Sequence, residues 1–228
     1  MLRQQWDTVN RPQYQRRTWS PRQQEVLDQV AQAVSVDNEE VRAEGRRCVL
    51  VLGGPGSGKS AVLLEVALRS ARLGIRVLII CPTGQLVHSF KCQLPDVEGI
   101  ENISVDTIHG VLGYKRPGPD GKVRWAPPSA LRRIDLILVD EASQYDDREW
   151  QRLTQSVTEQ PHRPYVVTVA DFQQLQPVAS GGLCRRLTAS WPTVTLDTVY
   201  RSTDPEHLLF QNRISETKPR TRQAPTRV

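Results

Sequence analysis

Apolar positions along this chain fall into two spacings. In CVLVL (48–52), IRVLIIC (75–81), IDLILVD (134–140) and YVVTVA (165–170) they run nearly unbroken, which predicts short strands buried on both faces. Elsewhere they recur every three to four residues. Val26, Leu27, Val30 and Val34 form one stripe, opened by Ser20-Pro21-Arg22-Gln23, where Ser20 can cap a helix and Pro21 suits its first turn. A second helix is expected from a Gly-rich loop after residue 52 to about Arg72, and a third from Gly84 to Cys92. Strands that are apolar all round and alternate with helices predict an α/β fold, with a mostly parallel sheet covered by helices on both faces. The pattern breaks at YKRPGPDGKVRWAPP (114–128), where Asp120-Gly121 is a hairpin-turn dipeptide flanked by basic residues and followed by Trp125. That segment reads as a small inserted hairpin or as an ordinary surface loop.

At 228 residues, 38% of them hydrophobic, the chain suffices for one α/β domain of ordinary size. No apolar run approaches the length of a bilayer span, and no apolar segment follows the charges of the N-terminus, so neither a membrane partner nor a secretory signal is expected. Cys48, Cys81, Cys92 and Cys184 form no CxxC pair and have no histidine at metal-ligand spacing. They read as reduced thiols of an intracellular protein, with Cys48 and Cys81 buried in apolar runs. The net charge of +5 sits at the ends: residues 1–22 and 211–228 carry +4 each, leaving the middle at −3. Charge alone is thus a weak pointer to nucleic acid. It does suggest a division into a basic, flexible segment 1–17, a folded lobe 18–203 containing the 114–128 insertion, and a basic stretch 204–228.

The chemistry begins at GGPGSGKS (53–60), which matches G-x-x-x-x-G-K-[ST] between an expected strand and an expected helix. Gly54, Gly56 and Gly58, with Pro55 and Ser57 between them, let the backbone turn its N–H groups toward a phosphate. Lys59 reaches the β- and γ-phosphates, Ser60 offers a hydroxyl to Mg²⁺, and the helix N-terminus adds positive potential. This predicts ATP and Mg²⁺ as cofactors. LILVDEAS (136–143) then delivers Asp140 and Glu141 to the carboxyl end of a buried strand, where α/β sheets bind ligands. Asp140 suits the metal's hydration shell, and Glu141 suits orienting and deprotonating the attacking water.

Further segments follow in a familiar order. VADFQQLQPV (169–178) resembles the helicase sensor motif GDxxQLxPV, with Ala170 in place of its Gly. CPTGQLV (81–87), TIHGVLGY (107–114), DEASQYDD (140–147) and LDTVYRS (196–202) resemble, in turn, the motifs of RecD-like enzymes. Together they resemble the first RecA-like lobe of the RecD-like and Pif-type branch of superfamily 1 DNA helicases, over residues 18 to 215. The resemblance implies a P-loop ATPase that moves 5′→3′ on single-stranded DNA, with roles in DNA repair and recombination. It implies that Gln23 reads the adenine edge, although Gln23 also completes a Ser20-x-x-Gln23 capping box. Gln174 would contact the γ-phosphate, as would Arg201, which also reads as a surface arginine. Thr83, Gly84, Thr107 and His109 would lie along the strand; outside its motif, His109 reads as a capping or core histidine. The 114–128 segment occupies the position of the family's strand-separating pin, where Trp125 could stack on a base.

After Arg201 only 27 residues remain, too few for a second lobe and the second arginine that the resemblance implies. A truncated motor, or a half-site completed by another polypeptide, is the corresponding expectation. Two rivals stand beside it: a superfamily 1 helicase directed at RNA, and a non-catalytic, ATP-responsive nucleic-acid-binding module.

Overall fold

The computed structural model describes residues 18–34, 47–94, 98–115, 119–121, 124–125, 131–174, 177, 181–198 and 200, with 124–125 by backbone alone. Helix α1 (Pro21–Val34) precedes strand β1 (Cys48–Gly53), then α2 (Lys59–Arg72), β2 (Val77–Cys81) and α3 (Gly84–Gln93). There follow β3 (Ile103–Thr107), the short α4 (Ile108–Val111), a two-residue pair β4 (Tyr114–Lys115) and β5 (Arg124–Trp125), and β6 (Leu136–Val139). The described chain closes with α5 (Asp147–Thr158), β7 (Tyr165–Ala170), α6 (Leu183–Thr188) and β8 (Thr193–Leu196).

Six strands form one sheet in the order β3-β2-β6-β7-β1-β8, and every pairing in it is parallel. Successive residues of a strand face opposite sides, and the core divides accordingly. Val49, Val51, Ile79, Leu136 and Val167 pack on Val26, Leu27 and Val30 of α1 and on Leu63 and Val66 of α2. Leu50, Leu78, Ile80, Ile137 and Val139 pack on the opposite face against Ile108, Trp150, Leu153 and Cys184. Helices therefore cover both faces, and the expected RecA-like α/β architecture is observed.

Two strands escape the apolar-run criterion, and both are the sheet's edges. In β3 (ISVDT) only Val105 is buried, and in β8 (TVTL) buried and exposed positions alternate. An edge strand has one strand neighbour instead of two, so fewer of its side chains must be apolar. The buried strands are also shorter than their apolar runs at residues 75–81 and 134–140. Ile75 and Arg76 belong to the turn before β2, and Asp140 lies just past β6. The hairpin expected at 114–128 is present as an antiparallel pair, Tyr114 opposite Trp125 and Lys115 opposite Arg124. The Trp125 side chain lies outside the described residues, as do Arg201 and the basic segments 1–17 and 204–228. No helix among the described residues is long and apolar enough to cross a membrane.

Candidate nucleotide site and strand-binding edge

β1 ends at Gly53, and the chain turns through 54–58 before α2 starts at Lys59. Gly56 and Gly58 take the left-handed backbone that the turn requires, with φ of 79° and 83°, whereas Gly54 does not. A Cβ built on Gly54 would meet nothing within 4 Å. Ser57 closes the turn, its N–H and hydroxyl both donating to the Gly54 carbonyl at 3.3 and 2.9 Å. Pro55 is exposed at the tip. Lys59 is buried, and its Nζ donates to the Gly53 and Gly54 carbonyls at 2.8 and 2.9 Å. Its ammonium is therefore held at the mouth of the loop. Ser60, in the first turn of α2, is exposed.

Asp140 follows β6 and is completely buried. Its N–H donates to the Ile80 carbonyl at 2.9 Å, which pins it between β2 and β6. Neither of its carboxylate oxygens has a hydrogen-bond partner. Burial, and then the charge of Glu141, push the carboxyl up to about 7, against the opposing pull of the nearby Glu141 N–H, Lys59 and the Ser60 hydroxyl, none of which meets hydrogen-bond geometry. Such a buried, unpartnered carboxylate fits a bound cation, and Ser60 supplies the neutral oxygen beside it. Glu141 sits half-buried in a left-handed backbone, φ 46° and ψ 44°, which is uncommon for a residue with a Cβ. One of its oxygens also lacks a partner. Tyr145 braces the strand ends, its buried hydroxyl donating to the Ile80 and Asp140 carbonyls at 3.0 Å each.

β7 ends beside the pair. Asp171, which the sequence reading passed over inside VADFQQLQPV, is buried and organises the loop. Its carboxylate accepts from the Gln173 N–H and from Gln174 Nε2, both at 3.0 Å. The candidate sensor side chain is thereby fixed at the strand's end. On the other flank of the phosphate loop, Thr18, Trp19, Gln23, Gly58, Ala61 and Tyr200 line a cavity of about 280 Å³. Of the two roles expected of Gln23, the structure shows the capping box. Its Oε1 accepts from the Ser20 N–H at 3.0 Å while the Ser20 hydroxyl accepts from the Gln23 N–H at 3.2 Å, completing the capping box. Its Nε2 donates to the Ser57 carbonyl at 3.3 Å, which ties the cavity wall to the phosphate loop. Tyr200, also passed over in the sequence, is tied to the loop by an N–H bond to the Gly56 carbonyl at 2.8 Å.

The residues expected along a nucleic-acid strand gather beyond β2 and β3. Cys81 and Thr107 end these paired strands in register. Thr83 caps α3 through Leu86, Thr107 caps α4 through Gly110, and Thr83, Gly84 and His109 are exposed. His109 is therefore not a core residue. Its Nε2 lies 2.8 Å from Oε1 of Glu149, and its ring centroid is 4.7 Å from that of Tyr114, where the hairpin begins. Among the described residues no cluster of three or more His, Cys, Asp and Glu side chains is placed to hold a metal.

The profile of a family described as an AAA domain matches residues 28–225, most of the chain. The chain belongs to the AAA domain family. The AAA lobe is also 34% identical, over 191 residues, to the ATP-dependent RecD2 DNA helicase of Deinococcus radiodurans. That match covers 83% of this chain and 23% of the relative, so the chain spans about a quarter of that protein's length. The crystal structure of Pif1 helicase from Candida albicans superposes with a TM-score of 0.56 at 21% identity, over 86% of this chain and 44% of that one. These similarities bear out the resemblance read from the motifs: the AAA lobe is a helicase-type P-loop ATPase domain with a RecA-like fold.

Proposed function

We propose that this AAA lobe binds Mg·ATP between loop 53–60 and the Asp140–Glu141 pair, and is the motor lobe of a DNA helicase that tracks single-stranded DNA 5′→3′. The observation that carries the reading is the completely buried Asp140 carboxylate, with neither oxygen hydrogen-bonded, beside Lys59 and Ser60 in a loop of phosphate-binding sequence. Mg²⁺, when bound with the nucleotide, supplies the positive charge that this carboxylate and the transferring phosphoryl oxygens require.

In this reading Lys59 exchanges its two carbonyl partners for phosphate oxygens, and the α2 N-terminus adds its amide dipoles. Ser60 and Asp140 hold the metal's oxygen shell. Glu141 accepts the proton of the attacking water, and its left-handed backbone fixes where that carboxylate stands. Gln174, anchored by Asp171, touches the γ-phosphate; Arg201 has the same role by the resemblance. Trp19, Gln23 and Tyr200 enclose the base. Thr83, Gly84, Thr107, His109 and Trp125 follow the strand. The direction of travel and the preference for DNA rest on the RecD-like and Pif-type resemblance.

ATP hydrolysis by the purified chain, measured with and without single-stranded DNA and with single-stranded RNA as competitor, tests this. Hydrolysis stimulated by DNA in the wild type and lost in Lys59→Ala is expected. Calorimetric binding of Mg·ATP that is equal in the two proteins would falsify the nucleotide assignment, and preferential stimulation by RNA would redirect the substrate.

A further inference from the structure

The first turn of α5 touches three separate parts of the site. Glu149 places Oε1 2.8 Å from His109 Nε2, while its Oε2 accepts the Asp146 N–H at 2.8 Å. Asp146 in turn accepts the Glu149 N–H at 2.8 Å, completing the capping box that starts the helix. Trp150, buried in the next position, donates its indole N–H to the Ala142 carbonyl at 3.0 Å, one residue past Glu141. Asp147 accepts the N–H groups of Gly181 at 2.9 Å and Leu183 at 3.1 Å, where the chain returns from the Gln174 loop into α6. Arg185 of α6 lies over the Phe172 ring, 5.9 Å from its centroid, beside Asp171. One helical turn thus joins the TIH segment, the acidic pair and the sensor loop.

We propose that Glu149 is a positioning residue that couples the strand-binding edge to the acidic pair, with His109 as its contact to nucleic acid. The inference rests on the function proposed above. The two partners differ in a way that suits a relay. The His109 side chain is 52% exposed, whereas that of Glu149 is 13% exposed. A strand phosphate can therefore draw the imidazole away, and the shielded carboxylate then loses its one side-chain partner among the described residues. Because Glu149 is a member of the capping box, that loss falls on the start of α5 and through Trp150 on the backbone beside Glu141. Nothing about Glu149 in isolation indicates this role: the pattern D-x-x-E predicts only a capped helix.

The test compares the wild-type chain with Glu149→Gln, which keeps an acceptor for the cap, Glu149→Ala, and Asp146→Ala, which removes the side-chain half of the cap but keeps the Asp146 N–H on Glu149 and leaves His109 and Glu149 facing each other. The readouts are the stimulation of ATP hydrolysis by an oligodeoxythymidine strand and the hydrogen exchange of amides 140–150 with and without that strand. Coupling factors between sites begin at about fivefold. Stimulation is expected to fall by about that factor or more in both Glu149 variants with strand-free hydrolysis unchanged, while Asp146→Ala keeps its stimulation. Strand-induced protection at 140–150 should vanish in step. Equal loss in Asp146→Ala and Glu149→Ala would make the helix start merely structural and overturn the inference. So would a Glu149→Gln that responds like wild type. A wild-type chain whose hydrolysis and amide exchange both ignore the strand would overturn the proposed function and this inference together.

Discussion

Replacing Asp140 by Asn should stabilise the fold while impairing the site. The side chain is completely buried, with both oxygens unpartnered and its carboxyl held at about 7 instead of 3.8. At about 1.4 kcal/mol per pH unit, forcing the charged form at pH 8 costs the folded state about 4 kcal/mol. The native state binds the extra proton between those two values, so stability is retained below pH 4 and falls as pH rises toward 7. Asn carries no charge, but its buried amide lacks partners and forfeits about 1–3 kcal/mol. The net gain at pH 8 is then about 1–3 kcal/mol, roughly 2–10 °C in melting temperature for a domain of this size. At pH 4, where the wild-type carboxyl is neutral, the charge cost is gone and only the amide penalty remains, so the Asn variant should melt below wild type. Saturating Mg·ATP should reverse the order at pH 8 by stabilising only the wild type. Thermal melts at both pH values, with and without Mg·ATP, decide it. An Asn variant no more stable than wild type at pH 8 would mean that Asp140 is already solvated or paired, and the argument for a cation there would fall.

Three further outcomes follow from the same geometry. Glu141→Gln should bind Mg·ATP as wild type does but lose hydrolysis by about 10²-fold or more, because an amide cannot take the water's proton; single-turnover assays check this. Gly58→Ala should lose at least about 1–2 kcal/mol in denaturant unfolding, since φ is 83° there and the new Cβ would stand 2.6 Å from Gln23 Nε2. Gln23→Ala should weaken ATP binding while leaving inorganic triphosphate untouched, and equal losses for both in calorimetry would remove Gln23 from the base pocket.

The buried strands and the phosphate loop were legible because both obey local rules. Continuous apolar runs mark central parallel strands, and the spacing of Gly58, Lys59 and Ser60 follows from the geometry of a strand-loop-helix turn. Asp140 and Glu141 were legible because two acids at the end of an apolar run demand an explanation. The edge strands β3 and β8 were not, since their polar alternation resembles loop sequence. Tyr145 and Tyr200 escaped for a different reason: each acts through backbone carbonyls, and composition carries no trace of that; Asp171 acts locally, on Gln173 and Gln174, inside a motif read for its glutamine. Gln23 shows the limit from the other side. One residue satisfies a local capping rule and a distant cavity at once, so neither reading of the sequence excluded the other.

The parallel sheet has one more consequence, for how such a lobe can be altered. Apart from Trp125 in the hairpin, the described candidate residues emerge at the carboxyl edge, at or after the ends of β1, β2, β3, β6 and β7, or from the start of α1. The opposite edge is fastened by unrelated means: the Arg76–Asp135 pair at 2.9 Å, Arg47 reaching the carbonyls of His162 and Arg163, and the Leu50 N–H bonded to the Pro192 carbonyl at 2.8 Å. The two edges share strands but no side chains. At the Gly74 turn an added side chain meets nothing within 4 Å, but φ is 76° there, so a tether strains that backbone while standing on the edge opposite the chemistry. Variation can therefore rewrite one edge while the other keeps the strands in register.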